Sequence, residues 1–310
     1  MMSCLKSSIC ATLGFFALAS FSYGQGAAAS VPWAAPSPRL KASTPFAPKP
    51  IKGDNIFTGE AEGWLADAII SVEMGKLSEI SDQSVRDYVS AVGNNLLKYS
   101  RDPTKKVHFI VLDNKWSSDA FSVGGGKIYI TLAMLNELPD EDELAAVLGH
   151  ELGHDIFHHA GLTVTRQLFW MKGKTSVKSA ADTVEALAKL DEAYEKNTAA
   201  MIGEAFLGFQ RAEELEADRA AFYNIYKAGY NPSAVKHFMS DDVKDQKKDE
   251  GSAYGMSVFF EFLFGSHPPS SQRALAMSWE SNFVDMPKKH SRYSSPAFDA
   301  MKAQVATLVK

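Results

Sequence analysis

The stretch Leu148-Gly149-His150-Glu151-Leu152-Gly153-His154 constrains this chain more than any other. Its centre reads H-E-x-x-H. On a helix, side chains four apart share a face, with roughly 5–6 Å between their Cβ atoms. His150 and His154 then turn both imidazoles toward one metal ion. Glu151 sits beside them, placed to take a proton from water at that ion. This is the spacing of a zinc-dependent peptide hydrolase. Three fixed letters also occur by chance in a chain of 310 residues, so the remaining sequence has to supply the rest of the site.

The surroundings of the motif favour a helix. Pro139-Asp140 opens it, and Asp140 with Glu143 fits a capping box. Leu144, Leu148, Leu152 and Ile156 form an apolar stripe for the core, and the two histidines fall on a neighbouring face, where a cleft can lie. A catalytic zinc takes three protein ligands and keeps a fourth position open. A further histidine six residues after His154, preceded by a glycine at the third, would mark the metzincin arrangement. Phe157 stands at the glycine position, which excludes that class. His158 and His159 are expected at the surface. A second helix, Gln210 to Tyr226, offers Glu213, Glu214, Glu216 and Asp218. Glu214 and Asp218 are four apart and share a face. One of them can ligate zinc while the other accepts the free N–H of a ligand histidine. The competing reading of this segment is a solvated acidic helix face.

Upstream, Asp119 to Thr131 holds two strand-like runs around three glycines. One reading is a strand along the cleft, its free edge pairing main chain to main chain with an extended substrate through Gly124, Gly125, Gly126, Lys127 and Ile128. The other is a plain β-hairpin turn.

The rest of the chain frames one large domain. Its length suffices for a substantial core, and a net charge of −5 gives no sign of nucleic-acid binding. Lys6 followed by the apolar run Ile9 to Ala19 and the small residues to Gly24 reads as a signal peptide, residues 1–24, cut between 24 and 29. Residues 25–55 are a Pro- and Ala-rich leader, and 56–310 form the folded domain. Cys4 and Cys10 both fall in the signal, so the exported chain is expected to contain no disulfide. Helices are expected over 59–75, after Ser81-Asp82, across 161–209, over Met256 to Phe264 and from Pro296 to Leu308. A strand is expected over Val107 to Leu112.

Taken together, His150-Glu151-Leu152-Gly153-His154, the Glu214-x-x-x-Asp218 pair, the Ala120-Phe121 to Thr131 glycine segment and His267-Pro268 with Arg273 resemble the HtpX-like / CAAX-prenyl-protease family of gluzincin metallopeptidases. The likeness runs from Gly59 to Arg273. It implies an α+β, mainly helical, zincin-like domain with a small sheet whose edge strand borders the active-site cleft. It also implies one zinc ion on His150, His154 and Glu214, Glu151 as general base, and Asp218 supporting a ligand histidine. His267 is the candidate donor to the oxyanion, or a residue that blocks the zinc at rest. Arg273 is expected to anchor an acidic group. Two departures stand out. Family members commonly carry Asn where this chain has Asp119, and many carry membrane helices or a C-terminal helical repeat that this sequence does not show. The expected activity is zinc endopeptidase cleavage of protein or peptide segments in the periplasm, with peripheral envelope association open and the oligomeric state unassigned. A zinc exopeptidase and a latent, chaperone-like zinc protein are the alternatives.

Overall fold

A computed structural model describes residues 55–73, 78–172, 176–195, 211–238, 271–284, 286 and 294–310. The segments expected as signal peptide (1–24) and leader up to residue 54, the stretch Met256–Phe264 expected to be helical, and His267 lie outside the described residues. In chain order come helices α1 (Glu60–Glu73) and α2 (Gln83–Leu97), then strands β1 (His108–Leu112), β2 (Ala120–Ser122) and β3 (Lys127–Thr131). Helices α3 (Leu132–Glu137), α4 (Glu141–Ile156), α5 (His159–Lys172), α6 (Ala180–Glu195), α7 (Arg211–Ala228), α8 (Ser271–Glu280) and α9 (Pro296–Leu308) follow. The expected mainly helical α+β architecture is present. Side chains cap the helices where the sequence signals them. Asp82 accepts from the Val85 amide at 3.0 Å, Asp140 from Glu143 at 3.0 Å, and Ser295 from Phe298 at 3.1 Å. Each such cap is worth about 1 kcal/mol.

The sheet has the order β1-β3-β2, with β1 parallel and β2 antiparallel to β3. Alternation along the strands divides the core in two. Phe109, Val111, Ile128 and Ile130 belong to one buried cluster with residues of α2, α4, α7 and α9. Leu112, Phe121 and Tyr129 face α1, α5 and α6. Fully burying an aliphatic or aromatic side chain of this kind stabilises by about 1.5–3 kcal/mol.

This topology corrects the free-edge reading of residues 124–128. β3 is the central strand. Lys127 and Ile128 pair with His108 and Phe109 on one side, and Ile128 pairs with Ser122 on the other, so their backbone is already used by the sheet. Gly124, Gly125 and Gly126 form the hairpin turn between β2 and β3, with φ of 80°, 62° and 75°. A Cβ on Gly126 would stand 2.1 Å from the Lys106 carbonyl oxygen, so only glycine fits there. Among the described residues the edge strand on this side is β2.

The turn is tied to the end of α4. The Gly126 amide donates to Asp155 Oδ1 at 2.9 Å, and Lys105 Nζ lies 2.9 Å from Asp155 Oδ2. Lys105 is also 3.6 Å from Glu62, and Glu62 is 2.9 Å from His158 Nδ1. Burial alone would raise the Glu62 pKa. The hydrogen bond with His158, the charge of Lys105 and the Gly125 amide outweigh it and hold the carboxyl below its ordinary range.

The central helix differs from the amphipathic expectation. Every residue from Glu141 to Ile156 is buried, not only the leucine stripe. The side opposite the sheet packs on α7 with almost no side chain between the backbones. A Cβ on Gly153 would stand 2.9 Å from Ala217 Cα, and one on Gly149 would stand 3.3 Å from Ala221 Cα. The two glycines flank the histidines of the motif, and Ala217 and Ala221 repeat their four-residue spacing on α7.

Gly153→Val is expected to force α4 and α7 apart and to destabilise the domain by about 1–3 kcal/mol through overpacking. Urea denaturation reads the loss, and an unchanged midpoint would contradict this packing. Glu62 has a depressed pKa in the folded state, so its contribution is complete above about 4.5 and fades as the pH falls through the lower folded value. Wild type is therefore expected to exceed Glu62→Gln in stability at neutral pH, with the gap closing in acid. A gap that does not vary with pH in the same denaturation series would contradict the ion-pair assignment.

Candidate metal centre

α4 and α7 meet over three residues of consequence. His150 and His154 project from successive turns of α4, and Glu214 faces them from the first turn of α7. All three are buried, and their ligand atoms lie within 4.8 Å of one another. The two Nε2 atoms are 3.0 Å apart. Glu214 places Oε2 at 3.5 Å from His150 Nε2 and Oε1 at 3.5 Å from His154 Nε2. A tetrahedral zinc with ligands at about 2.0–2.2 Å sets neighbouring donor atoms roughly 3.3–3.5 Å apart. Both Glu214 spacings match this range, and the 3.0 Å between the two Nε2 atoms falls slightly short of it. The donor set, two imidazoles and a carboxylate, suits such an ion. Glu151 is buried on the same helix, one residue after His150.

The remaining nitrogens of the two histidines are also engaged. His150 Nδ1 is 2.9 Å from Asp218 Oδ1. Asp218 in turn accepts two hydrogen bonds from Arg273, through Nε and Nη2, both at 2.7 Å. Arg273 Nη1 lies 3.0 Å from Glu214 Oε2, so one guanidinium joins the third ligand to the partner of the first. Burial alone would lower the His150 pKa. The adjacent Asp218 and Glu214 outweigh it and raise the value, so these carboxylates favour positive charge at this point. On the other side, His154 Nδ1 is 2.9 Å from His159 Nδ1, and His159 Nε2 is 3.1 Å from Glu216 Oε2. Glu213, the fourth acid of α7, is held by Arg166 of α5 at 2.5 and 3.0 Å. Phe238, on the short helix over residues 233–238, borders the His150 ring at 6.3 Å between centroids.

The description "Peptidase family M48" belongs to the family model that matches residues 83–280, about two thirds of the chain. The chain belongs to peptidase family M48. Its M48 domain is a zinc metallopeptidase domain, and His150, His154 and Glu214 are the residues that would hold the ion. The chain is similar to the beta-barrel assembly-enhancing protease of Escherichia coli (strain K12), 24% identical over 241 residues that cover 76% of this chain and 46% of the relative. It is similar to the protein of the same name from Yersinia pestis, 26% identical over 232 residues, 73% of this chain and 44% of the relative. The metalloprotease YcaL of Escherichia coli (strain K12) is 25% identical over 215 residues, 67% of this chain and 78% of the relative. The chain thus spans a little under half the length of the beta-barrel assembly-enhancing proteases.

The structure brings together His150, His154, Glu214 and Asp218, with Glu151 buried on the same helix, and Arg273 anchors two acidic groups. It corrects the placement of His159, which is fully buried against His154 rather than at the surface. Glu216 is likewise drawn into the site. The signal for both is faint in the sequence. His159 follows His154 by five residues, and helical spacing carried past the end of α4 turns it away from the metal face. The chain instead turns at His158, whose φ of 60° is left-handed.

Arg273→Met is expected to leave Glu214 and Asp218 as uncompensated buried charge and to destabilise the metal-free protein by about 3–5 kcal/mol. Zinc supplies positive charge at the same carboxylates, so the loss is expected to shrink when it is bound. Urea denaturation in excess chelator and in excess zinc compares the two, and equal losses would contradict the shared-charge account.

Proposed function

We propose that this chain is a zinc endopeptidase that cleaves extended or misfolded protein segments in the bacterial periplasm. The observation that carries this reading is the convergence of three buried donor atoms of His150, His154 and Glu214. Zinc, when bound, acts as a Lewis acid that polarises a carbonyl and makes water acidic enough to lose a proton near neutral pH. Glu151 is the general base. Its carboxylate takes the proton of the attacking water and returns it to the leaving amine. Asp218 and Arg273 hold the ring of His150 and the carboxylate of Glu214 in place, so neither has to reorganise during the reaction.

The edge strand β2 is the proposed substrate rail. The Thr131 amide donates to the Asp119 carbonyl at 2.9 Å, and the Asp119 amide donates to Thr131 Oγ1 at 3.0 Å. Antiparallel alternation then turns the amides and carbonyls of Ala120 and Ser122 to the outer side. An extended peptide added there would lie main chain to main chain along the sheet, which suits internal cleavage. His267, expected to meet the oxyanion or to close the site, rests on the sequence alone. Periplasmic location rests on the signal-like segment 1–24. Among the described residues no helix is long and apolar enough to cross a membrane.

Glu151→Gln is expected to retain zinc and to lose about 10²–10⁴-fold in rate on an unfolded substrate such as labelled casein. Metal content by atomic emission and product lengths by mass spectrometry complete the test. Wild-type products released one residue at a time from an end would replace the endopeptidase reading with an exopeptidase.

A further inference from the structure

We infer that His159 and Glu216 form a positioning relay that fixes the ring orientation and tautomer of His154 for metal binding. The inference rests on the zinc-site reading above. It starts from three buried groups in a row: His154 Nδ1 and His159 Nδ1 at 2.9 Å, then His159 Nε2 and Glu216 Oε2 at 3.1 Å.

Proton bookkeeping gives the row a direction. A neutral imidazole carries one N–H and one lone pair. His154 Nε2 is the nitrogen aimed at His150 Nε2 and Glu214, so it must offer its lone pair to the ion. Its proton therefore sits on Nδ1 and is donated to His159 Nδ1. That nitrogen must accept, which places the His159 proton on Nε2, where it is donated to Glu216. The carboxylate ends the row because, ionised, it only accepts. The opposite tautomer of His159 would set a lone pair against a carboxylate oxygen in a buried site, where an unmatched polar contact is costly.

The fold builds this row deliberately. His158 holds a left-handed φ of 60°, a conformation that is unfavourable for a side-chain-bearing residue. Its ring is held 2.9 Å from Glu62. The turn brings His159 back under α4, where the Phe157 ring stacks on it at 5.9 Å and 24°. Glu216 comes from α7, two residues from both Glu214 and Asp218. One helix thus supplies a metal ligand and the carboxylate behind each ligand histidine, directly for His150 and through His159 for His154.

The test uses the full-length protein and zinc alone. His159→Phe keeps a stacking ring and removes both nitrogens. It is expected to weaken zinc binding about 10–100-fold in competition with a chromophoric chelator. Glu216→Gln retains an acceptor for the His159 N–H and is expected to bind near the wild-type affinity, whereas Glu216→Leu removes it and is expected to weaken binding. Imidazole ¹⁵N spectra of the zinc-loaded wild type are expected to show His159 protonated at Nε2 and His154 at Nδ1. This measurement stands even if a variant does not fold. His159 protonated at Nδ1, or His159→Phe affinity within twofold of wild type, overturns the relay. Failure of the wild type itself to take up zinc would instead sink the proposed function.

Discussion

The site depends on how closely α4 and α7 approach. Gly149 and Gly153 present bare backbone to Ala221 and Ala217, and the 2.9 Å that a Gly153 Cβ would leave to Ala217 Cα shows that nothing larger fits. Glu214, three residues before Ala217, can reach histidines on α4 only across this contact. Gly149 and Gly153, each immediately before a motif histidine, therefore set the distance at which the two helices meet, and His150 and His154 use that distance. A helix with bulkier residues at 149 and 153 would carry the same H-E-x-x-H and hold no third ligand within reach.

Charge is the second constraint. Glu213, Glu214, Glu216 and Asp218 are all buried, which a helix tolerates only if each carboxylate is matched. Arg166 takes Glu213, Arg273 takes Asp218 and one oxygen of Glu214, and His150 and His159 take the remaining contacts. The solvated acidic face, a fair reading of this segment by itself, is thus the reverse of what forms. The cations that match these acids come from α5 and α8, elements far away in sequence, and they assemble the centre from four separate helices. The same arrangement explains why Arg273 belongs with the site although it lies more than fifty residues beyond Asp218.

Much of the centre was legible because it is local. Helical spacing relates His150 to His154 and Glu214 to Asp218, and capping residues mark where α2, α4 and α9 begin. The β2–β3 segment was legible only in part. Its alternation and glycines announce two strands and a turn, but which strand is central depends on the parallel partner β1, whose pairing is a long-range choice. That choice makes β3 central and leaves Ala120–Ser122, not Lys127 and Ile128, as the edge strand on this side among the described residues. His159 was misplaced for a comparable reason: periodicity assumes that helical geometry continues, and a single left-handed residue at 158 ends it.

By itself the sequence determined the reactive set, because metal chemistry demands particular side chains at spacings one helix can supply, and it determined the elements that carry that set. The tertiary structure decided what lies behind each ligand. Asp218 with Arg273, and His159 with Glu216, become partners only when α4, α5, α7 and α8 pack together. Burial then makes each hydrogen bond matter, because an unpaired polar group costs more there than at the surface.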